Sequence, residues 1–220
     1  MKDPPASKRT YRSAHRQEQA RQTRKQILDT ALRLFSERGY HATSIEAIAR
    51  EAQVAPETIY ASFGNKLALL TRLVDVSIVG DEEPIPLLHR AEIKAAETEP
   101  DPVRLIESFA ANIAGIMGRM SPVFALLREN EKSDANIAAM LERLLTGRME
   151  GMRYFVKQVQ RTGALRESLS LEEAAETTWA LSSSEIYRLL TIDRGWSREQ
   201  YVRWLADILT RILLNLPTPR

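Results

Sequence analysis

The 220-residue chain contains no cysteine, which excludes a disulfide framework and any thiolate metal site and fits a reducing compartment. Histidine is scarce, and His15, His41 and His89 stand at no metal-ligand or acid–base spacing from one another. Only nine glycines punctuate the sequence. With no Asn-Gly or Asp-Gly turn, no sustained apolar–polar alternation, no phosphate-binding glycine loop and no activated serine arrangement, strands and enzymatic sites find little support. No apolar run approaches the roughly eighteen residues of a membrane span, and the opening MKDPPASKRTYRSAHRQ has no apolar stretch of the signal-peptide kind. These absences lead to the expectation of a soluble, cytoplasmic protein that is not an enzyme and has no cofactor, no metal and no membrane partner.

What is present is 44% hydrophobic and 27% charged residues, enough for one large domain or two modest ones with a real core. The net charge of +2 conceals an asymmetry. Residues 1–25 hold eight Lys/Arg against Asp3 and Glu18, a local +6 that leaves −4 for the rest of the chain. Residues 1–20 therefore read as a flexible basic arm, which either meets phosphate or is simply a solvated tail.

Helical periodicity runs through everything else. Ile27, Ala31, Leu34 and Phe35 make one stripe, closed by Gly39 as the left-handed residue past a helix end. Thr43 and Glu46 form a capping box ahead of Ile45, Ile48, Ala49 and Ala52. A tight connection at Gln53 and Val54 precedes a second short helix opened by Pro56 and anchored by Ile59, leaving Glu57, Thr58, Ala61 and Ser62 facing outward. That is helix-turn-helix spacing. Leu67, Leu70, Leu73 and Val74 continue the pattern until DEEPIPLLHR, whose prolines and adjacent acids read as a connection. Beyond it, Asp101-Pro102 and Ser121-Pro122 read as helix starts, Ser170…Glu173 and Ser197…Gln200 as capping boxes, and residues 134–161 as one helix about 40 Å long. Two further helices span roughly 171–190 and 198–214. The fold class is all-α, with about nine helices in total.

The segments ILDTALRLFSERGYHATSIEAIAREA and VAPETIYASFGNKLALL resemble the tetracycline-repressor (TetR) family of bacterial transcriptional regulators, with Tyr60, Phe63 and Lys66 in the family's "Y..F..K" positions. The resemblance covers about residues 21–70, and GWSREQYVRWLADIL is similar to the C-terminal helix of many members. It implies a helix-turn-helix DNA-binding domain over 21–67 and a ligand-binding and dimerisation domain over 68–220. Thr43 and Ser44 would then hold backbone phosphate, and Glu57, Thr58, Tyr60, Ala61 and Ser62 would lie at the groove. Lys66 would take another phosphate, and Arg9, Arg12 and Arg16 of the arm would add contacts. Two positions depart from the family: Gln53 stands where glycine is usual, and Ala55 replaces a serine-like cap.

Implied partners are double-stranded DNA, a second copy of the chain and a small apolar effector. For the effector pocket the candidates are Phe109, Met117, Met120, Phe124, Met152, Phe155 and Trp179, which read equally as plain core. For the dimer they are Ala175, Ser182, Ser183, Trp204, Leu205, Ile208 and Leu209, which suit either a two-fold four-helix contact or packing within one chain. The function so implied is a sequence-specific regulator, a repressor released from a palindromic operator by its ligand. The alternative is an architectural DNA-binding protein without ligand control.

Overall fold

The computed structural model of the chain describes residues 7–215 apart from 82, 84 and 86, with side chains from residue 15 onward other than 88 and 92. Among the described residues there are ten α-helices and no strand, and an isolated pairing of Leu165 with Leu214 is the one β-type bridge. The chain divides into two compact units at 76/77.

The first unit holds α1 (Ser7–Arg38), α2 (Ile45–Glu51), α3 (Pro56–Phe63) and most of α4 (Lys66–Val79). Where a flexible arm was expected, α1 is already helical at Ser7. Residues 7–38 contain neither proline nor glycine, and exposed Glu18–Arg21 and Lys25–Asp29 pairs support the helix along its side. Arg16 is exposed on α1, whereas the side chains of Arg9 and Arg12 lie outside the described residues. Ile27, Ala31, Leu34 and Phe35 are buried as the stripe required, and Gly39 ends the helix at φ +83°.

The α2–α3 turn carries both departures noted in the sequence. Gln53 takes φ +55°, the one non-glycine residue beyond zero among those described, and Ala55 caps α3 with no side-chain bond. A β-carbon in the left-handed region costs about 1–2 kcal/mol, of which glycine's extra chain entropy returns a part. Gln53→Gly is therefore expected to stabilise the first unit by about 0.5 kcal/mol, and Ala55→Ser by about 1 kcal/mol through a restored cap. Urea melts of the single and paired variants check both values, and a decrease for either would contradict the assigned backbone.

The second unit contains α5 (Ala91–Ala95), α6 (Pro102–Asn130), α7 (Ala135–Arg161), α8 (Leu171–Leu181), α9 (Ser184–Arg188) and α10 (Arg198–Leu213). The helix α5 adds one to the expected number and directly follows the DEEPIPLLHR segment read as a connection. That segment is pinned by a bidentate Arg90–Asp81 pair at 2.6 and 2.7 Å, beside which the Asp81 carboxyl falls to about 2. Asp101, Ser170 and Ser197 cap α6, α8 and α10 as read. Ser121-Pro122, however, does not start a helix: α6 runs through it. Its buried face continues on both sides, with Met117 and Met120 before Pro122 and Val123, Phe124 and Leu127 after it, and this packing outweighs the bond that proline removes. Helix α6 is also long and apolar enough to cross a membrane, and 56% of its most apolar window is buried in the fold.

The expected helix over 171–190 is interrupted. It stops at Leu181, Ser183 caps α9 by accepting from the Ile186 amide, and Leu189–Asp193 widens into a π-helical turn with Leu189 and Ile192 exposed. This overturns part of the dimer reading. Ala175, Ser182, Leu205 and Leu209 are fully buried within the chain and Ser183 nearly so, because α7 and α6 already pack over α8 and α10; only Trp204 and Ile208 remain half-buried.

Candidate nucleic-acid interface and an interior cavity

In the first unit, Ile59 is the anchor that orients α3, at 1% exposure. One turn of 3.6 residues then places Glu57, Tyr60, Ala61 and Ser62 outward, with Thr58 half-buried at the edge. Tyr60 presents 46% of its surface, a large exposed aromatic on a helix eight residues long. Helix α2, which precedes it, is held against α1 by ties that the sequence did not reveal. Gln26 of α1 donates to the Ala52 carbonyl at the end of α2, and Arg33 bridges Glu37 and Glu51.

Two expected phosphate ligands are placed otherwise. Thr43 is 1% exposed, and its hydroxyl lies 2.8 Å from the Gly39 carbonyl and 3.2 Å from that of Leu34, so it closes the turn after α1. The cap of α2 is instead Ser44, whose Oγ accepts from the Ala47 amide. Lys66 also points inward. Its ammonium donates to the Tyr40 carbonyl at 3.0 Å and the Thr43 carbonyl at 3.1 Å, and stands 4.4 Å from the centre of the Tyr40 ring. A cation so engaged serves the fold of the turn before it serves a phosphate.

A group that the sequence reading left in the helix cap joins the exposed face. Glu46 receives a 3.4 Å hydrogen bond from the Tyr60 hydroxyl, and its carboxyl is held below the ordinary range by its own backbone N–H, then by Ser44 and Tyr60. The two hydroxyls nearest the start of α2 thus face an anion of the chain's own.

In the second unit, α5, α6 and α7 line a partly open cavity of about 110 Å³. Of the seven pocket candidates, Phe109, Met152 and Phe155 line it, with the two phenyl rings stacked at 3.9 Å. Met117, Met120 and Phe124 are plain core, and Trp179 lies beneath Arg148, its ring centre 4.8 Å from the guanidinium carbon. The polar lining, Ser108, Asn112, Tyr154 and Gln158, was missed. Its signal was available as helical spacing beside the apolar stripe, but the wall from Leu87, Ile93 and Ala96 comes from the segment read as a connection and the residues just after it. No charged side chain lines the cavity, and among the described residues no group of three His, Asp or Glu could hold a metal ion.

Comparison with known proteins agrees with this geometry. Residues 27–73 match the family described as "Bacterial regulatory proteins, tetR family". The chain is 27% identical over 130 residues to the HTH-type transcriptional regulator UidR of Escherichia coli, a match covering 57% of this chain and 60% of that protein's length. It is 25% identical over 203 residues to the HTH-type transcriptional regulator TcmR of Streptomyces glaucescens, covering 88% and 79%. Among solved structures it shares its fold with NalD, described as the secondary repressor of the MexAB-OprM multidrug efflux pump in Pseudomonas aeruginosa. That likeness has a TM-score of 0.66 at 18% identity, over 89% of this chain and 98% of that one.

Proposed function

From the membership of this chain in the TetR family of bacterial transcriptional regulators, we infer that it is a dimeric repressor that reads a palindromic operator through α3 and releases it when a small apolar molecule fills the α5–α6–α7 cavity. The observation that carries the reading is α3 itself, buried on Ile59 and open on Glu57, Tyr60, Ala61 and Ser62. Two such helices related by a two-fold axis would enter successive major grooves about 34–36 Å apart, with Ser44 and the α1 arginine Arg16 toward the backbone. Glu57 would accept from a cytosine amino group. The second copy would cover the face where Leu189 is 51% and Ile192 68% exposed. Effector in the cavity would favour a dimer whose α3 helices are mis-spaced, and by linkage operator DNA would weaken effector equally.

Selection of bound duplexes from a random pool tests the regulator. An inverted repeat is the expected product, whereas a pool left unenriched at moderate salt would favour an architectural binder.

Glu46 supplies a sharper prediction. Its carboxylate stands where Ser44 and Tyr60 would meet phosphate, so it repels the backbone once in each protomer. Glu46→Gln is expected to tighten operator binding by about threefold to tenfold, with the gain shrinking as salt screens the charge. Titrations of labelled duplex at two ionic strengths measure it, and an unchanged or weaker affinity would place Glu46 away from the DNA.

A further inference from the structure

Among the side-chain donors of the second unit that are buried without a hydrogen-bond partner are Arg148 Nε, Trp179 Nε1 and the Tyr201 hydroxyl. They belong to one neighbourhood. Arg148 stacks on Trp179 and interacts electrostatically with Tyr201, a residue of 0% exposure. The guanidinium does one visible task, donating to the Trp179 carbonyl and to Ser182 Oγ at 3.0 Å, which caps the end of α8. That task uses Nη2 alone. Among the described residues no carboxylate pairs with Arg148; the acid that acts on it electrostatically is Glu185, exposed on α9 and engaged by Ser184. Burial lowers Arg148 to about 10, which leaves it a cation at neutral pH. A mostly buried cation with an unused fork edge, beside two unused donors, is chemistry suited to a carboxylate.

The apolar cavity begins one helical turn away. Met152 follows Arg148 by four residues on α7, so both lie on the same face, and Met152 lines the cavity. On its other side its Sδ lies 3.6 Å from Ser182 Oγ, the atom that Arg148 holds. The Met152 thioether and the Ser182 hydroxyl thus stand between an uncharged cavity and an acid-less arginine, and methionine is a side chain easily moved aside.

We propose that the effector is a small amphipathic carboxylic acid, whose tail fills the Phe109–Phe155 cavity and whose carboxylate passes Met152 to meet Arg148, Trp179 and Tyr201. The proposal rests on reading the cavity as the effector site. Engagement of Arg148 would compete with its hold on the end of α8, which gives the ligand a handle on the helix pair.

Calorimetric titration of the full chain with octanoate and with octanamide tests it, since the two share a tail and differ in charge. Octanoate is expected to bind at least about tenfold more tightly than octanamide, the size of a charge-assisted bidentate contact. Arg148→Met should abolish that preference while leaving octanamide within about twofold of its original affinity, and Arg148→Lys should retain part of it. Equal binding of acid and amide to the unaltered protein overturns the proposal and leaves the cavity reading standing. Failure of both to bind overturns the two together. An acid preference that survives in Arg148→Met places the carboxylate elsewhere. The comparison in the unaltered chain decides the matter even if the methionine variant does not fold.

Discussion

Replacing Lys66 with methionine is expected to lower the stability of the first unit by about 2–3 kcal/mol, while leaving the second unit unchanged. The ammonium makes two charge-assisted bonds, to the Tyr40 and Thr43 carbonyls, and sits over the Tyr40 ring, itself only 4% exposed. Hydrogen bonds to charged groups contribute about 1.5–3 kcal/mol each and a half-exposed cation–π contact about 0.5–1 kcal/mol. Solvent access to the lysine reduces the sum, and so does the relief of removing a cation from the first residue of α4, where the helix dipole disfavours it. Hydrogen exchange resolves the two units: amides of α1 to α3 should lose about 30- to 150-fold protection and those of α6 and α7 none. Lys66→Arg should not rescue, because a planar fork cannot meet two carbonyls and lie on the same ring as a compact ammonium does. If stability holds and operator affinity falls uniformly, with a salt slope reduced by about one per protomer, Lys66 is a phosphate ligand after all.

The same residue shows where sequence reading reached its limit. Elements fixed by short-range chemistry were legible: Gly39 past α1, Pro102 behind Asp101, the boxes at Ser170 and Ser197, the anchor Ile59. The glycine, the Asp101-Pro102 start and the two boxes each depend on partners within four residues, and Ile59 on the helical period alone. The phosphate set was not legible, because Thr43 and Ser44 are adjacent hydroxyl residues equally able to cap, and a shift of one position turns Thr43 into the closed turn and Ser44 outward. Lys66 reaches across 23 and 26 residues to its carbonyls, a distance no local pattern encodes. In the second unit, small side chains at Ser182 and Ser183 suggested close approach of another helix. They serve a buried arginine and a cap instead, and the break between α8 and α9 has neither proline nor glycine to announce it. The cavity was half legible, since apolar stripes name the helices that face inward but not the places where packing leaves space.

Phe155→Ala is expected to produce the largest loss in the second unit, about 3–4 kcal/mol. The ring is 5% exposed, stacks on Phe109 with an interplanar angle of 17°, and forms part of the wall of a cavity already about 110 Å³ in volume. Phenylalanine-to-alanine truncations in cores cost about 3–5 kcal/mol, the transfer term being joined by a penalty for unfilled volume. The lower part of that range applies, because the ring already borders empty space on one side and forfeits fewer contacts. The enlarged space is lined mainly by carbon, so it should stay dry and accept an apolar filler. Toluene at ten times its dissociation constant should then return about 1.4 kcal/mol to the variant, by binding the native state alone. Paired urea melts with and without toluene read both quantities. A loss below about 1 kcal/mol, or a variant indifferent to toluene, would remove Phe155 from the cavity wall. A full loss with partial recovery would establish that the α6–α7 interior can be filled by an added apolar molecule.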